Sequence, residues 1–416
     1  MRIAFLAGLL IACSGGEAPK VELADGAWTA GELRQLQSMR LDATPRPDPS
    51  NRVADDPGAA ALGKALFFDA GLSPSGKISC ATCHDPAKGF TDHLPISKGV
   101  GETARHAPTI PGSQYGPWLY WDGRADSLWA QAAAPLEHPA EMGSTRVFAV
   151  RRAQEAHQEA YTAVFGPMPD FSDAQRFPIL ARPTDEDAVA SEAWEGMSPA
   201  DRDLVTGVFV NLTKAIAAYE RLLVPTESAF DRYVDAVVAG DAGGGGHLSD
   251  AQIAGLSTFM RAGNCTACHN GPMLTDRAFH NLGLPMGGKY DEGRASGAAQ
   301  VLVSEFSCRS RWSDTKECPE LTYLDPEFPD FAQAFKTPTL RNVAATAPYM
   351  HHGQLADLSA VLTFYNELPG DPTINHRELT LQPLALSESD KQEVIAFLTA
   401  LSGEPLPDSL VIPESQ

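Results

Sequence analysis

The 416-residue chain is short of positive charge: 32 Lys and Arg stand against 53 Asp and Glu, a net charge of −21. A surface this acidic repels phosphate backbones and anionic lipid, which excludes nucleic-acid binding through a basic face. Such acidity serves solubility first and attraction of a basic protein partner second. Long apolar runs are missing too. The one run of note, Ile3 to Ala12, is far below the roughly 20 residues that span a bilayer. Cysteine is sparse, with 7 residues, an odd number too small for a disulfide scaffold at this length. Sustained apolar–polar alternation is absent, which argues against a large sheet. Hydrophobic residues at 43% and charged residues at 20% leave an ordinary globular composition.

Met1 and Arg2 precede the Ile3–Ala12 run, the form of a signal h-region. It ends in Leu10-Ile11-Ala12-Cys13, which resembles the bacterial lipoprotein signal. That resemblance implies an exported chain, periplasmic and anchored by lipid on Cys13. A plain secretory signal is the alternative. Either way the compartment permits disulfides.

Helical periodicity follows. The first segment runs from about Pro57 to Phe68. A second starts at Ser198-Pro199 and carries Val205, Val208, Phe209, Leu212, Ile216 and Tyr219. A third starts with the capping form Ser249-Asp250-Ala251-Gln252, and a last one runs from Ser387 to a stop at Gly403. The pattern predicts two mainly helical domains with long functional loops.

Two Cys-x-x-Cys-His motifs carry the chemistry: Cys80-Ala81-Thr82-Cys83-His84 and Cys265-Thr266-Ala267-Cys268-His269. Two thiols at this spacing reach the two vinyl groups of one haem, and the adjacent His coordinates its iron. A zinc site would need further Cys or His near by, and a redox dithiol does not need the His. The motifs predict two covalent c-type haems, with His84 and His269 as iron ligands. Each is preceded by an amphipathic helix, a weak internal repeat.

With both motifs placed, the surrounding residues resemble the bacterial di-haem cytochrome c peroxidase and MauG superfamily. The likeness runs from about Ala61 to Leu401. It rests on Leu62-Gly63-Lys64-Ala65-Leu66-Phe67-Phe68, Gly89-Phe90-Thr91-Asp92, Trp121-Asp122-Gly123-Arg124-Ala125, Pro139-Ala140-Glu141-Met142, Ala218-Tyr219-Glu220-Arg221, Lys336-Thr337-Pro338-Thr339-Leu340-Arg341-Asn342 and Ala347-Pro348-Tyr349-Met350-His351. The resemblance implies a mainly α fold of two cytochrome c-like domains, one haem each. It divides the chain into a signal peptide 1–12, a tether 13–56, a peroxidatic haem domain 57–222, an electron-transfer haem domain 223–405 and a tail 406–416.

It also implies site roles. Gln131 and Glu141 face peroxide at the first haem, where a carboxylate moves the proton and an amide orients the substrate. His93 and His106 lie in the loop where some relatives carry a removable iron ligand, and neither is expected to ligate. Trp121 is the relay between the haems. The second haem is ligated by His269 and Tyr365, with Met350 as the fallback, because no Met stands at the matching position. A phenolate stabilises ferric and higher iron, whereas Met raises the potential. A calcium ion held through Thr346 and Pro348 is implied, although Gly112, beside Ser113, stands where relatives have Asn. Cys308 and Cys318, in a variable loop of an exported chain, are expected to pair.

Three functions compete. One is reduction of hydrogen peroxide with electrons from a small periplasmic cytochrome or cupredoxin. The second is peroxide-dependent oxidation of a Trp or Tyr on a partner protein, as in MauG. The third is electron transfer without catalysis, against which Gln131 and Glu141 argue. The first is the preferred expectation.

Overall fold

The computed structural model describes residues 28–413, apart from 286, 288 and 289. The signal segment and Cys13 lie outside the described residues. The fold is predominantly helical. Its longer helices are α1 (Ala30–Met39), α2 (Pro57–Phe68), α3 (Leu128–Glu137), α4 (Arg146–Phe165), α5 (Pro199–Glu220), α6 (Ala229–Val238), α7 (Asp250–Met260), α8 (Arg294–Val303), α9 (Leu358–Glu367) and α10 (Glu388–Thr399). The described strands are two residues each: β1 (Phe279–His280) pairs antiparallel with β2 (Phe335–Lys336). No helix among the described residues is long and apolar enough to cross a membrane.

Local chemistry explains the helix starts. The side chains of Asp56, Ser198, Ser249 and Ser387 each accept from a first-turn amide, and Pro57 and Pro199 occupy positions whose N–H would be unpaired anyway. Helix α10 ends at Thr399, short of Gly403. Gly403 is used instead for a close approach: a Cβ there would meet Thr226 Oγ1 at 2.3 Å.

Apolar faces then gather into two main cores. The first joins Leu62, Leu66 and Phe67 of α2 to Val147 and Val150 of α4 and to Phe209, Leu212 and Ile216 of α5. The second joins Phe230 and Val234 of α6, Leu256 and Phe259 of α7, and Val394, Phe397 and Leu398 of α10. Each core is crossed at a glycine. A Cβ at Gly63 would stand 1.8 Å from Ala215 O, and one at Gly255 would stand 1.9 Å from Glu393 O. The repeat seen in the sequence is therefore also a packing repeat. In both units the helix before the haem motif crosses a later helix at backbone distance.

Both ends of the described chain pack against the cores. The segment 13–56 is not a free tether in its described part. Leu36 and Met39 of α1 are fully buried in the second core. The chain there also serves the buried ion pair Arg341–Asp231, 2.7 Å apart, whose spare groups need partners. Met39 O accepts from Arg341 Nη2 and Leu41 N–H donates to Asp231 Oδ1, which fastens the chain there. Further on, Asn51 Nδ2 donates to Lys214 O. Likewise the tail 406–416 is no loose end in its described part. Tyr219 OH and Lys64 Nζ donate to Leu410 O and Ser409 O, and Leu406, Leu410 and Val411 pack on the first core. Cys308 and Cys318 form the expected disulfide, with Cα atoms 5.8 Å apart.

Candidate active site

The two motifs adopt closely similar local structures. Cys80–Cys83 is one helical turn, and His84 N–H closes it on Cys80 O at 3.0 Å. Cys265–Ala267 is a tighter turn, and His269 N–H closes on Cys265 O at 2.8 Å. All four thiols are free of disulfides. His84 Nδ1 donates to Phe90 O at 3.1 Å, and His269 Nδ1 donates to Leu274 O at 3.0 Å. A carbonyl can only accept, so each Nδ1 bears the proton and each Nε2 is left as a lone-pair donor. Burial lowers the proton affinity of both rings, which keeps them neutral, as iron ligation requires.

The two accepting carbonyls share an unusual origin. Phe90 has φ 60° and Leu274 has φ 51°, left-handed conformations that side chains of this size rarely adopt. Strain of this kind costs on the order of 1–3 kcal/mol and persists where the surroundings impose it. Here it turns one carbonyl onto each imidazole.

Beside the second motif lies a cavity of about 560 Å³, with apolar walls that include Phe259, Leu340, Val361, Leu362 and Leu398. Cys265, Cys268, His269 and Tyr365 all line it. A large apolar cavity, a thiol pair and an imidazole with a free Nε2 are the donor set a covalent haem needs. Burial raises the Tyr365 phenol, and the nearby Cys265 and Cys268 raise it further. Met350 lines the same cavity, so geometry admits both predicted ligands. The one His/Cys/Asp/Glu group close enough to hold a metal, among the described residues, is Cys268, Asp276 and His280. Its thiol belongs to the haem motif, and its imidazole already bonds Asp276 and Glu378 at 2.9 and 2.7 Å.

Gln131 and Glu141 do not line this cavity. Glu141 acts on the first motif, and Gln131 lies on α3, whose Ala132 and Ala133 enter the first core. Burial raises the Glu141 carboxyl, against the opposing charges of His138 and Arg124. Its charge in turn acts on the thiols of Cys80 and Cys83. Burial also pushes the Cys83 thiol up to about 12. The Glu141 backbone is clamped, since its O accepts from Val100 N–H at 2.8 Å and a Cβ at Gly99 would meet that oxygen at 2.3 Å. The Gln131 side chain has no hydrogen-bond partner among the described residues, while its backbone O accepts from Tyr120 OH at 2.8 Å.

Trp121 lines the cavity and ties the two units together. Its Nε1 donates to His106 O at 2.9 Å, its O accepts from Lys336 N–H at 2.8 Å, and its ring meets His351 edge-on at 6.4 Å. His93 Nε2 bonds Ala345 O at 3.0 Å, and His106 Nδ1 bonds Leu94 O at 2.7 Å. Thr346, Pro348, Gly112 and Ser113 all line the cavity. Ser113 Oγ is buried there without a partner.

Several residues of the site were not assigned by sequence reasoning. Phe90 and Leu274 act through backbone oxygens, which leave no mark in side-chain identity. Lys336 and Glu220 sit inside the quoted motifs but received no role. Arg105 bonds both Asp122 and Asp291, an inter-unit link that no spacing announces.

Comparison with known proteins agrees with this geometry. The family profile described as di-haem cytochrome c peroxidase matches residues 57–238. A curated relative, the methylamine utilization protein MauG of Methylorubrum extorquens, is 31% identical over 96% of this chain and 95% of its own. The cytochrome c551 peroxidase of Pseudomonas aeruginosa is 32% identical over 82% of this chain and 78% of its own. The crystal structure of the diheme peroxidase BthA from Burkholderia thailandensis shares the fold, with a TM-score of 0.61, 23% identity, and coverage of 88% of this chain and 89% of that one. Motif pairs, proximal imidazoles and relatives converge: the chain belongs to the di-haem cytochrome c peroxidase and MauG family, and it is an oxidoreductase of the peroxidase type.

Proposed function

We propose that the protein reduces hydrogen peroxide with electrons from a small periplasmic redox protein, a cytochrome c or a cupredoxin. The observation that carries this reading is the presence of Glu141, with its raised proton affinity and its field on Cys80 and Cys83. When bound, the haem of Cys80, Cys83 and His84 supplies cleavage of the O–O bond, and that of Cys265, Cys268 and His269 supplies electrons. One peroxide, two electrons and two protons give two waters. Glu141 takes the proton from one peroxide oxygen and returns it to the other, a task suited to a carboxyl whose affinity is raised toward the working pH. The unpartnered amide of Gln131 orients the substrate. Trp121 serves as relay, held by the groups of both units that bond it.

The reading assigns one haem to 57–222 and one to 223–405. It places the protein in the periplasm, lipid-anchored through Cys13 and with no other membrane contact. The excess of acid suits a basic donor. It includes a calcium ion near Thr346 and Pro348. The buried, unpartnered Ser113 hydroxyl, which lines the same cavity, supports the reading as a further oxygen donor.

One observation favours a second reading. Helix α9 carries Tyr365 and no methionine, and the phenol lies in the field of the second thiol pair. A phenolate favours oxidised iron, which suits MauG-type oxidation of a Trp or Tyr on a partner protein. The experiment is to mix the diferric protein with peroxide and then offer either reduced cytochrome c or a candidate protein substrate. Rapid oxidation of the cytochrome is the expected result. A mass change on the partner, without cytochrome turnover, would select the second reading. Ferric EPR showing two low-spin haems and no high-spin haem would overturn an open first site in the ferric protein and return His93 and His106 as ligand candidates.

A further inference from the structure

Lys336 and Arg277 are two cations in one cavity wall without a counter-ion. Arg277 lies just before β1 and Lys336 lies on β2, so the strand pair brings them to one place. Neither side chain has a hydrogen bond or an ion pair among the described residues, and Arg277 Nε is buried with no partner. Burial pulls the Lys336 ammonium down to about 8, and the charge of Arg277 adds to the effect. Burial lowers Arg277 as well, helped by the charge of Arg46. The carboxylates within reach are already engaged. Asp122 pairs with Arg105 and Arg124, and Asp276 pairs with His280. Two neighbouring, partly buried cations without an anion are unfavourable. Their persistence points to a ligand that brings negative charge into the cavity.

The haem edge carries two propionate carboxylates. We propose that Lys336 and Arg277 receive the propionates of the haem attached through Cys265 and Cys268. The assignment rests on the covalent-haem reading above. Guanidinium and ammonium are the groups that pair with carboxylates through charge-assisted hydrogen bonds. The Lys336 backbone N–H also holds Trp121 O at 2.8 Å, so the residue that meets the propionate also positions the relay ring. Cations at that edge stabilise the added electron, so they raise the reduction potential of this haem.

The test is a spectroelectrochemical titration of the two-haem protein, following each haem by its own absorption and EPR signals, in K336Q, K336R and R277Q. K336Q is expected to lower the midpoint of the second haem by about tenfold in equilibrium constant, roughly 59 mV for one electron. R277Q is expected to move it the same way, K336R to keep it, and the first haem to move less. Unmoved midpoints in K336Q and R277Q, or a shift confined to the first haem, would overturn the assignment. If K336Q does not accumulate with two haems, a haemochrome count on K336R decides: two haems support the charge role, and fewer overturn it. A wild-type count below two defeats the haem reading itself and is distinguishable from unmoved midpoints in a fully loaded protein.

Discussion

Glu220 offers a quantitative test of how the first unit is built. It ends α5 at 5% exposure, and its Oε2 is buried with no partner. Burial alone raises its carboxyl from the ordinary 4.5 to about 8. The folded state therefore holds this proton between pH 4.5 and 8, while the unfolded chain releases it. Stability must then fall as pH rises through that window, the opposite of a paired carboxylate. At about 1.4 kcal/mol per pH unit, the loss by pH 7 is on the order of 3 kcal/mol. Glu220→Gln removes the ionisation and the pH-dependent loss with it. Calorimetric melting of both proteins between pH 4.5 and 8 is the assay. The melting temperature of the wild type should fall relative to the variant by roughly 6–12 °C between pH 4.5 and 7, given about 2–4 °C per kcal/mol for a unit of this size. A constant offset between the two proteins, due to packing or the new amide, does not matter. Parallel curves across the window would refute the reasoning, because they would mean that Glu220 ionises in the folded protein as easily as in water.

Three more outcomes are expected. Glu141→Gln should slow the reaction with peroxide by about 10²–10⁴-fold with haem content unchanged, measured by stopped-flow absorption; an unimpaired rate removes its proton-transfer role. Tyr365→Phe should alter the low-spin ferric EPR signal, and an unchanged spectrum would transfer the ligand role to Met350. Gly63→Ala drives a methyl into Ala215 O, 1.8 Å from the built Cβ, and should cost about 3 kcal/mol or more by forcing α2 and α5 apart. An unchanged melting temperature would show that the helices can separate freely.

The parts of the site that were legible in the sequence are those whose chemistry lies within a few residues. Cys-x-x-Cys-His is a complete attachment unit, and both copies fold into the expected turn. Helix starts at Pro57, Pro199 and Asp250 were legible for the same reason, since a cap is a contact between neighbours. The likeness to a known family reached further and placed Glu141, Gln131, Trp121 and Tyr365 before any coordinates. It did not reach the ends. The segment 13–56 is polar and rich in Gly and Pro, yet Leu36 and Met39 are buried in the second core, and Arg341 and Asp231, 302 and 190 residues from their partners, bond its backbone.

By itself, the sequence determined a helical chain with two Cys-x-x-Cys-His motifs, each with its own imidazole, and an excess of acidic residues. Those properties are composition and short-range bonding, which need no knowledge of what packs where. Only the tertiary structure decided the rest. It turned the carbonyls of Phe90 and Leu274 onto the two imidazoles, and it left Glu220 in a place where a carboxyl prefers its proton. It also set Lys336 beside Arg277 with no anion between them. Each of these is a matter of desolvation or of contact across long sequence separation. The energy of a charge depends on what surrounds it, and the surroundings exist only once the chain has folded.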